Sequence, residues 1–259
     1  MRWLVVCSTS CALVAAGLLA LRRRRRRHAP IAIVINGPSS AGKSTLCRAL
    51  LDALVDASRG NQRSGFATVA FDDFLHHMSS KYYPRSYVST VGGDLDRLSS
   101  LAPFDGRAGF EYVEDTGKPG LPGYKHNLVF SDAGRRLLAG VHRGWGEHLK
   151  LGTNLLVDHC LLQPDWADEL RDVLRESGAR VVWVGVHCSL GVLEKREASR
   201  GDRPLGLARR SHEVTHTRGL PYDLELRTDT MPTSEAVAAV LALRPLAAHF
   251  AATAVEVEP

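Results

Sequence analysis

Ile31-Ala32-Ile33-Val34-Ile35-Asn36-Gly37-Pro38-Ser39-Ser40-Ala41-Gly42-Lys43-Ser44-Thr45 is the stretch on which the reading of this chain turns. Its first six residues are apolar on both alternating faces, the pattern of a central parallel strand covered by helices on each side. Residues Gly37 to Ser44 fit G-x-x-x-x-G-K-[ST], a phosphate-binding loop (P-loop). Leu46, Ala49, Leu50, Ala53 and Leu54 then recur at helical spacing, so the spacing predicts an amphipathic helix from Lys43 to about Val55. Loop amides and the helix N-terminus surround phosphate oxygens, where the helix dipole favours negative charge. Lys43 adds a full positive charge at the outer phosphates, and the Ser44 hydroxyl is placed to ligate Mg²⁺. Gly37, Pro38, Ser39, Ser40, Ala41, Gly42, Lys43, Ser44 and Thr45 are therefore candidate nucleotide-binding residues, with ATP and Mg²⁺ as the expected cofactors. An ordinary strand–turn–helix with an exposed lysine is the bland alternative; strand, loop and helix agreeing in order argues against it.

Working outward, Phe66 to Phe71 is a second short apolar run that ends on the doubled acid Asp72-Asp73. A carboxylate just beyond a parallel strand can orient an acceptor hydroxyl and take its proton during phosphoryl transfer. Asn154 to Asp158 reads as a third strand, and its closing Asp158 suits a carboxylate that holds Mg²⁺ or its waters. Arg180 to His187 and Tyr222 to Arg227 are the fourth and fifth. Helices are expected over about Ser131 to His148, from Pro164 to before Gly178, from Ser189 to Gly201, and from Thr233 to about Leu243. Strands alternating with helices imply an α/β fold of the P-loop, nucleotide-kinase-like kind: a central parallel five-stranded sheet flanked by helices. Arg196 and Arg200 are four residues apart on one helix face, with Arg203 just beyond Gly201. Such guanidinium groups can cover a terminal phosphate as a lid, although a solvated charged helix has the same pattern.

Residues 76–130 carry four prolines and many glycines and show little periodicity, so they are expected to be an irregular insertion near the substrate site. The domain itself is expected over 31–245, with 246–259 as a loose tail.

Trp3 to Leu21 contains no charge and is followed at once by the run Arg22 to Arg27. Its 19 residues would reach about 29 Å as a helix, near the ~30 Å hydrocarbon thickness of a bilayer. A cleaved secretory signal carries its positive charges before the apolar stretch, not after it. Residues 1–30 are thus expected to be a single-span membrane anchor through residues 3–21, with the catalytic domain in the cytoplasm. A mitochondrial or other organelle-targeting leader is the alternative.

The formal charge of +5 resides in that arginine run; removing its six charges leaves −1 over the rest of the chain. A nucleic-acid-binding face is therefore not expected. Cys7, Cys11, Cys47, Cys160 and Cys188 make no C-x-x-C pair and no zinc-like spacing with histidine, so they read as small core residues in a reducing compartment.

Taken together, several of these strings resemble the chloramphenicol phosphotransferase family of P-loop kinases. They are Asn36 to Ser44, the acid pair at 72–73, Leu-Leu-Val-Asp at 155–158, Val-Trp-Val-Gly-Val at 182–186, Arg196-Glu197…Arg200-Gly201-Asp202-Arg203 and His216…Tyr222-Asp223-Leu224-Glu225-Leu226. The resemblance covers roughly residues 31 to 245. It implies an ATP-dependent O-phosphotransferase acting on a hydroxyl of a small molecule, with Asp72 as general base and Arg196, Arg200 and Arg203 in a phosphate lid. This chain departs from the family pattern in the length of 76–130, in the leader, and in having His159 after Asp158 where a second acid is expected. A nucleoside- or nucleotide-type kinase and a non-catalytic ATP-binding switch are the competing readings.

Overall fold

The computed structural model describes residues 29–58, 65–77, 110–116, 123–200, 205–216 and 219–254. In chain order these form β1 (Ile31–Asn36), α1 (Lys43–Ala57), β2 (Phe66–Ala70), α2 (Phe71–His77), β3 (Phe110–Thr116), β4 (Lys125–Phe130) and α3 (Asp132–Lys150). There follow β5 (Asn154–His159), α4 (Pro164–Glu176), β6 (Arg180–His187), α5 (Leu190–Arg200), α6 (Leu207–Val214), β7 (Leu224–Arg227), α7 (Thr233–Leu241) and α8 (Arg244–Ala254).

The main sheet has the order β2-β5-β1-β6-β7, and every pairing in it is parallel. β1 is the central strand, buried along its whole length between β5 and β6. Its alternating side chains feed two cores. Ala32 and Val34 face a layer containing Phe71, Phe130, Trp145 and Trp166. Ile31, Ile33 and Ile35 face an aliphatic layer containing Leu46, Leu50, Leu54, Val240 and Leu246. The period of two in the sequence thus becomes a three-layer sandwich. Because strand order runs outward in both directions from β1, a crevice opens beyond its carboxyl end, where the P-loop begins.

Local chemistry sets the element ends. Ser131 caps α3, its hydroxyl accepting from the Gly134 N–H at 3.1 Å. Pro164 occupies the first turn of α4, and Gly178 follows it at φ 74°. At the other end of the sheet, Asn154 Oδ1 accepts from the Ile31 N–H at 2.9 Å and aligns the starts of β1 and β5.

Two expectations change. Part of the supposedly irregular 76–130 stretch is an antiparallel ribbon, with Phe110 opposite Phe130 and Tyr112 opposite Leu128. Phe110, Leu128 and Phe130 bury into the aromatic core, so the ribbon is held by tertiary packing that a periodicity count over a proline-rich window does not reveal. The acid pair follows β2 closely and lies in the first turn of α2. The C-terminal stretch expected to be a tail continues as α8, which sinks Leu246 and His249 beneath the sheet's aliphatic side. Residues 1–28, with the proposed span, lie outside the described residues, as do Arg203 and residues 78–109. Among the described residues no single helix is long and apolar enough to cross a membrane.

Candidate active site

The loop after β1 is built from unusual backbone. Ser40 has φ 65° and Gly42 φ 90°, and the Ala41 N–H donates to Pro38 O at 3.2 Å. Left-handed backbone of this kind in a glycine-bearing turn is what builds a concave anion site from main-chain amides. Gly37 has a different reason to be glycine: a Cβ there would sit 2.5 Å from Val186 O on the neighbouring strand. The Ser40 hydroxyl is buried with no hydrogen-bond partner, a donor that a phosphate oxygen would satisfy.

Two cavities open on this loop. The first holds about 690 Å³ of empty space and is lined by Lys43, Ser44, Asp72, Asp158 and Arg200 on its polar side. Its apolar lining includes Phe71, Leu75, Leu128, Leu162 and Leu207. Within it the Ser44 hydroxyl donates to Asp158 Oδ2 at 2.6 Å, and Lys43 Nζ donates back to Pro38 O at 3.0 Å. Asp72 borders this cleft, while its neighbour Asp73 is exposed; the doubled acid resolves into one inward carboxylate.

The second cavity holds about 860 Å³ of empty space and shares Ser40, Gly42 and Thr45 of the loop with the first. It is bordered by Thr45, Leu46, Arg196, Thr228, Met231 and Ala236. Arg196 belongs here and does not line the first cavity. Its guanidinium donates to Thr228 O at 2.9 Å, and Thr228 Oγ1 donates to Ala41 O at 2.6 Å, so Arg196 is tied to the back of the P-loop through one threonine. Arg200, one turn on, borders both cavities. The two arginines expected to share one task thus meet at the second cavity, and Arg200 alone also reaches the first. Thr228, Met231 and Ser211 were not picked out in the sequence, and Cys160, read there as a core residue, is only partly buried and borders the first cavity; a Thr-Asp pair directly after a sheet strand was the one signal available for Thr228.

Behind the cleft lies a buried polar network. Asn36 Nδ2 donates to Tyr222 Oη at 2.7 Å, and Asn36 Oδ1 accepts from the Leu161 N–H at 3.0 Å. His216 places Nε2 3.1 Å from Val186 O and Nδ1 3.0 Å from Tyr222 Oη. A carbonyl only accepts, so Nε2 carries the proton, and the tyrosine hydroxyl donates to Nδ1. Burial, reinforced by the stacked His187 ring at 3.9 Å, pushes His216 down to about 4. Burial likewise pushes the Tyr222 phenol up to about 12.

His159, standing where a second acid is expected, is wholly buried and stacks on Phe71 at 5.0 Å. Its Nε2 meets His142 Nε2 at 3.0 Å, and His142 Nδ1 meets Glu169 Oε1 at 3.0 Å. Burial holds it well below the ordinary histidine range. It is a core residue, not a second acid in the cleft. Among the described residues no three His, Cys, Asp or Glu side chains could hold a metal together. One hydroxyl and one carboxylate do match Mg²⁺, which keeps several waters and takes its remaining oxygens from phosphates.

Residues 31–244 match the family described as chloramphenicol phosphotransferase-like protein. A Mycobacterium tuberculosis H37Rv protein named "Putative O-phosphotransferase Rv2636" is 30% identical over 224 residues, covering 83% of this chain and 85% of that protein. A protein of strain CDC 1551 of the same organism, with the same type of name, matches to the same extent. In fold, the chain is similar to the crystal structure of an unliganded sugar kinase from Janibacter sp. HTCC2649. The TM-score is 0.52 and the identity 12%, over 85% of this chain and 98% of that one.

Proposed function

The chain belongs to the chloramphenicol phosphotransferase-like family, and from that premise we propose that it moves the terminal phosphoryl group of ATP to a hydroxyl on a small neutral molecule. The observation that carries this reading is the placing of Lys43, Ser44, Asp158 and Asp72 around one cleft that also has an apolar lining. The P-loop amides and Lys43 hold the phosphates, and the second cavity takes the nucleoside between Arg196, Thr228 and Met231. Ser44 and Asp158 would hold Mg²⁺, which when bound supplies positive charge against the phosphate oxygens.

Asp72 accepts the proton of the acceptor hydroxyl as that oxygen bonds to the terminal phosphorus; the bond to the bridging oxygen breaks, and ADP leaves with the electron pair. Arg200, at the boundary of the two cavities, faces the charge that develops between donor and acceptor. Leucines beside Asp72 exclude water and so limit hydrolysis.

Among the described residues bordering the cleft, the cations are Lys43 of the P-loop and Arg200 alone. That favours a neutral acceptor over the phosphorylated one of a nucleotide kinase. A carboxylate turned into the cleft favours catalysis over a mere binding switch. Asp72→Ala should retain Mg-ATP affinity by calorimetry while transfer falls about 10²–10⁴-fold in a mass-resolved screen of hydroxyl compounds. Undiminished transfer by this variant would remove Asp72 as the base. We also propose that Trp3 to Leu21 anchors the chain in a membrane with the catalytic domain on the cytoplasmic side; organelle targeting is the alternative.

A further inference from the structure

Glu197 sits between the two arginines Arg196 and Arg200 in sequence, yet it is only 2% exposed, lines neither cavity and places its carboxylate between α5 and α6. α6 begins after Gly206, which has φ 87° and no side chain with which to cap the helix. The first amides of a helix have no partner within it, and leaving them unmet in a buried place is costly. Glu197 meets them from the neighbouring helix. Its Oε2 accepts from the Gly206 N–H at 2.7 Å and its Oε1 from the Ala208 N–H at 2.6 Å. Bonds from two amides to one carboxylate are of the stronger, charge-assisted kind.

What α6 carries gives this clasp its meaning. Ser211 Oγ accepts from the Ser39 N–H of the P-loop at 2.9 Å. Leu207 forms part of the apolar wall of the cleft. On its outer side α6 meets the ribbon: a Cβ at Gly206 would lie 2.8 Å from Tyr124 O, and Lys125 pairs with Glu213 at 2.8 Å. On the other side of the clasp, Arg200 lies three residues beyond Glu197 on α5. A rim ion pair between Arg209 and Glu194 also links the two helices, but a partly solvated pair of that kind contributes little. The buried carboxylate is the stronger of these two links.

We infer that Glu197 is a positioning residue that sets Arg200 against the P-loop and the acceptor wall, so that the enzyme distinguishes ATP from ADP. The inference rests on the phosphotransferase reading above. Its chemistry is indirect: Glu197 touches neither nucleotide nor acceptor, and acts by holding the arginine helix at a fixed distance from α6. Glu197→Gln retains one accepting oxygen and puts an NH₂ group, which cannot accept, against the other amide.

The test is calorimetric titration of the full chain with Mg-ADP and Mg-ATP, for wild type, Glu197→Gln, Arg200→Ala and the double variant. Glu197→Gln should weaken Mg-ATP binding about fivefold to tenfold while leaving Mg-ADP within about twofold, because ADP lacks the terminal phosphate against which Glu197 is inferred to set Arg200. The double variant should show the ATP-to-ADP ratio of Arg200→Ala alone. General loosening would weaken both nucleotides alike. A folded Glu197→Gln protein with the wild-type ratio overturns the inference and leaves the phosphotransferase reading standing. Failure of the wild type to bind either nucleotide overturns that reading, and this inference with it. If the variant does not fold, amide exchange of residues 205–211 in the wild type decides: greater protection with Mg-ATP than with Mg-ADP is expected, and equal protection refutes the coupling.

Discussion

Gly37 and Gly42 are both glycines of the phosphate loop, but the structure requires them for different reasons, and the difference can be measured. At Gly37 an added Cβ would stand 2.5 Å from Val186 O and 3.0 Å from Val186 Cβ, whereas real Cβ atoms essentially never come within 3.0 Å of such a neighbour. The gap must therefore open by half an ångström or more. Val186 cannot yield: it pairs with Leu226 of β7, and its carbonyl also faces His216 Nε2 at 3.1 Å. The loop itself must shift. Overpacking of this kind costs about 1–3 kcal/mol, which lowers the melting temperature by roughly 2–4 °C per kcal/mol in a chain of this size. If the displaced amides lose a similar amount toward phosphate, Mg-ATP affinity falls about tenfold to a hundredfold.

At Gly42 an added Cβ would come no nearer than 3.8 Å to Arg196, so the obstacle is the φ of 90° alone. That costs about 1–2 kcal/mol for alanine and less for asparagine, which visits left-handed backbone more readily. Urea denaturation and calorimetric titration with Mg-ATP should therefore show Gly42→Asn recovering part of what Gly42→Ala loses. Gly37→Asn should be worse than Gly37→Ala. A Gly37→Ala protein with wild-type stability and affinity would refute the steric account, as would a rescue by asparagine at position 37.

Acid should weaken the fold through the network behind the cleft. His216 is held at about 4 against 6.5 in the unfolded chain, so between those values the unfolded state binds more protons and stability falls as pH falls. With solvent screening at its partly exposed edge allowed for, the loss is about 2 kcal/mol across that window. Burial also brings His249 down to about 4, which adds loss in the same direction. Urea midpoints should drop from pH 7 to pH 4.5, and His216→Gln should flatten part of that slope; an unchanged slope would exclude His216 as a contributor. At the other end of the chain, full-length protein should resist carbonate extraction from membranes, and deletion of residues 3–21 should release it. Complete release of the intact chain would end the anchor proposal.

The parts legible in the sequence were those encoded by near neighbours. An unbroken apolar run, a glycine-bearing loop with Lys43 and Ser44, and leucines at helical spacing lie side by side along the chain, and each states its own geometry. Asp158 was legible for the same reason: it ends an apolar strand, and a parallel register with β1 brings it beside Ser44. Which of two adjacent acids turns inward was a matter of a helical first turn, and the resemblance rather than spacing singled out Asp72. Nothing in local spacing showed that Arg196 would be tied to Thr228 behind the loop while Arg200 reached both cavities. Nor did it show that His159 would be buried against Phe71, or that Glu197 would cap a helix nine residues further on. Periods of two and 3.6 state which face of an element is apolar. Where a polar side chain on that element finds its partner depends on how strands distant in sequence are ordered, and that order exists only once the sheet has closed.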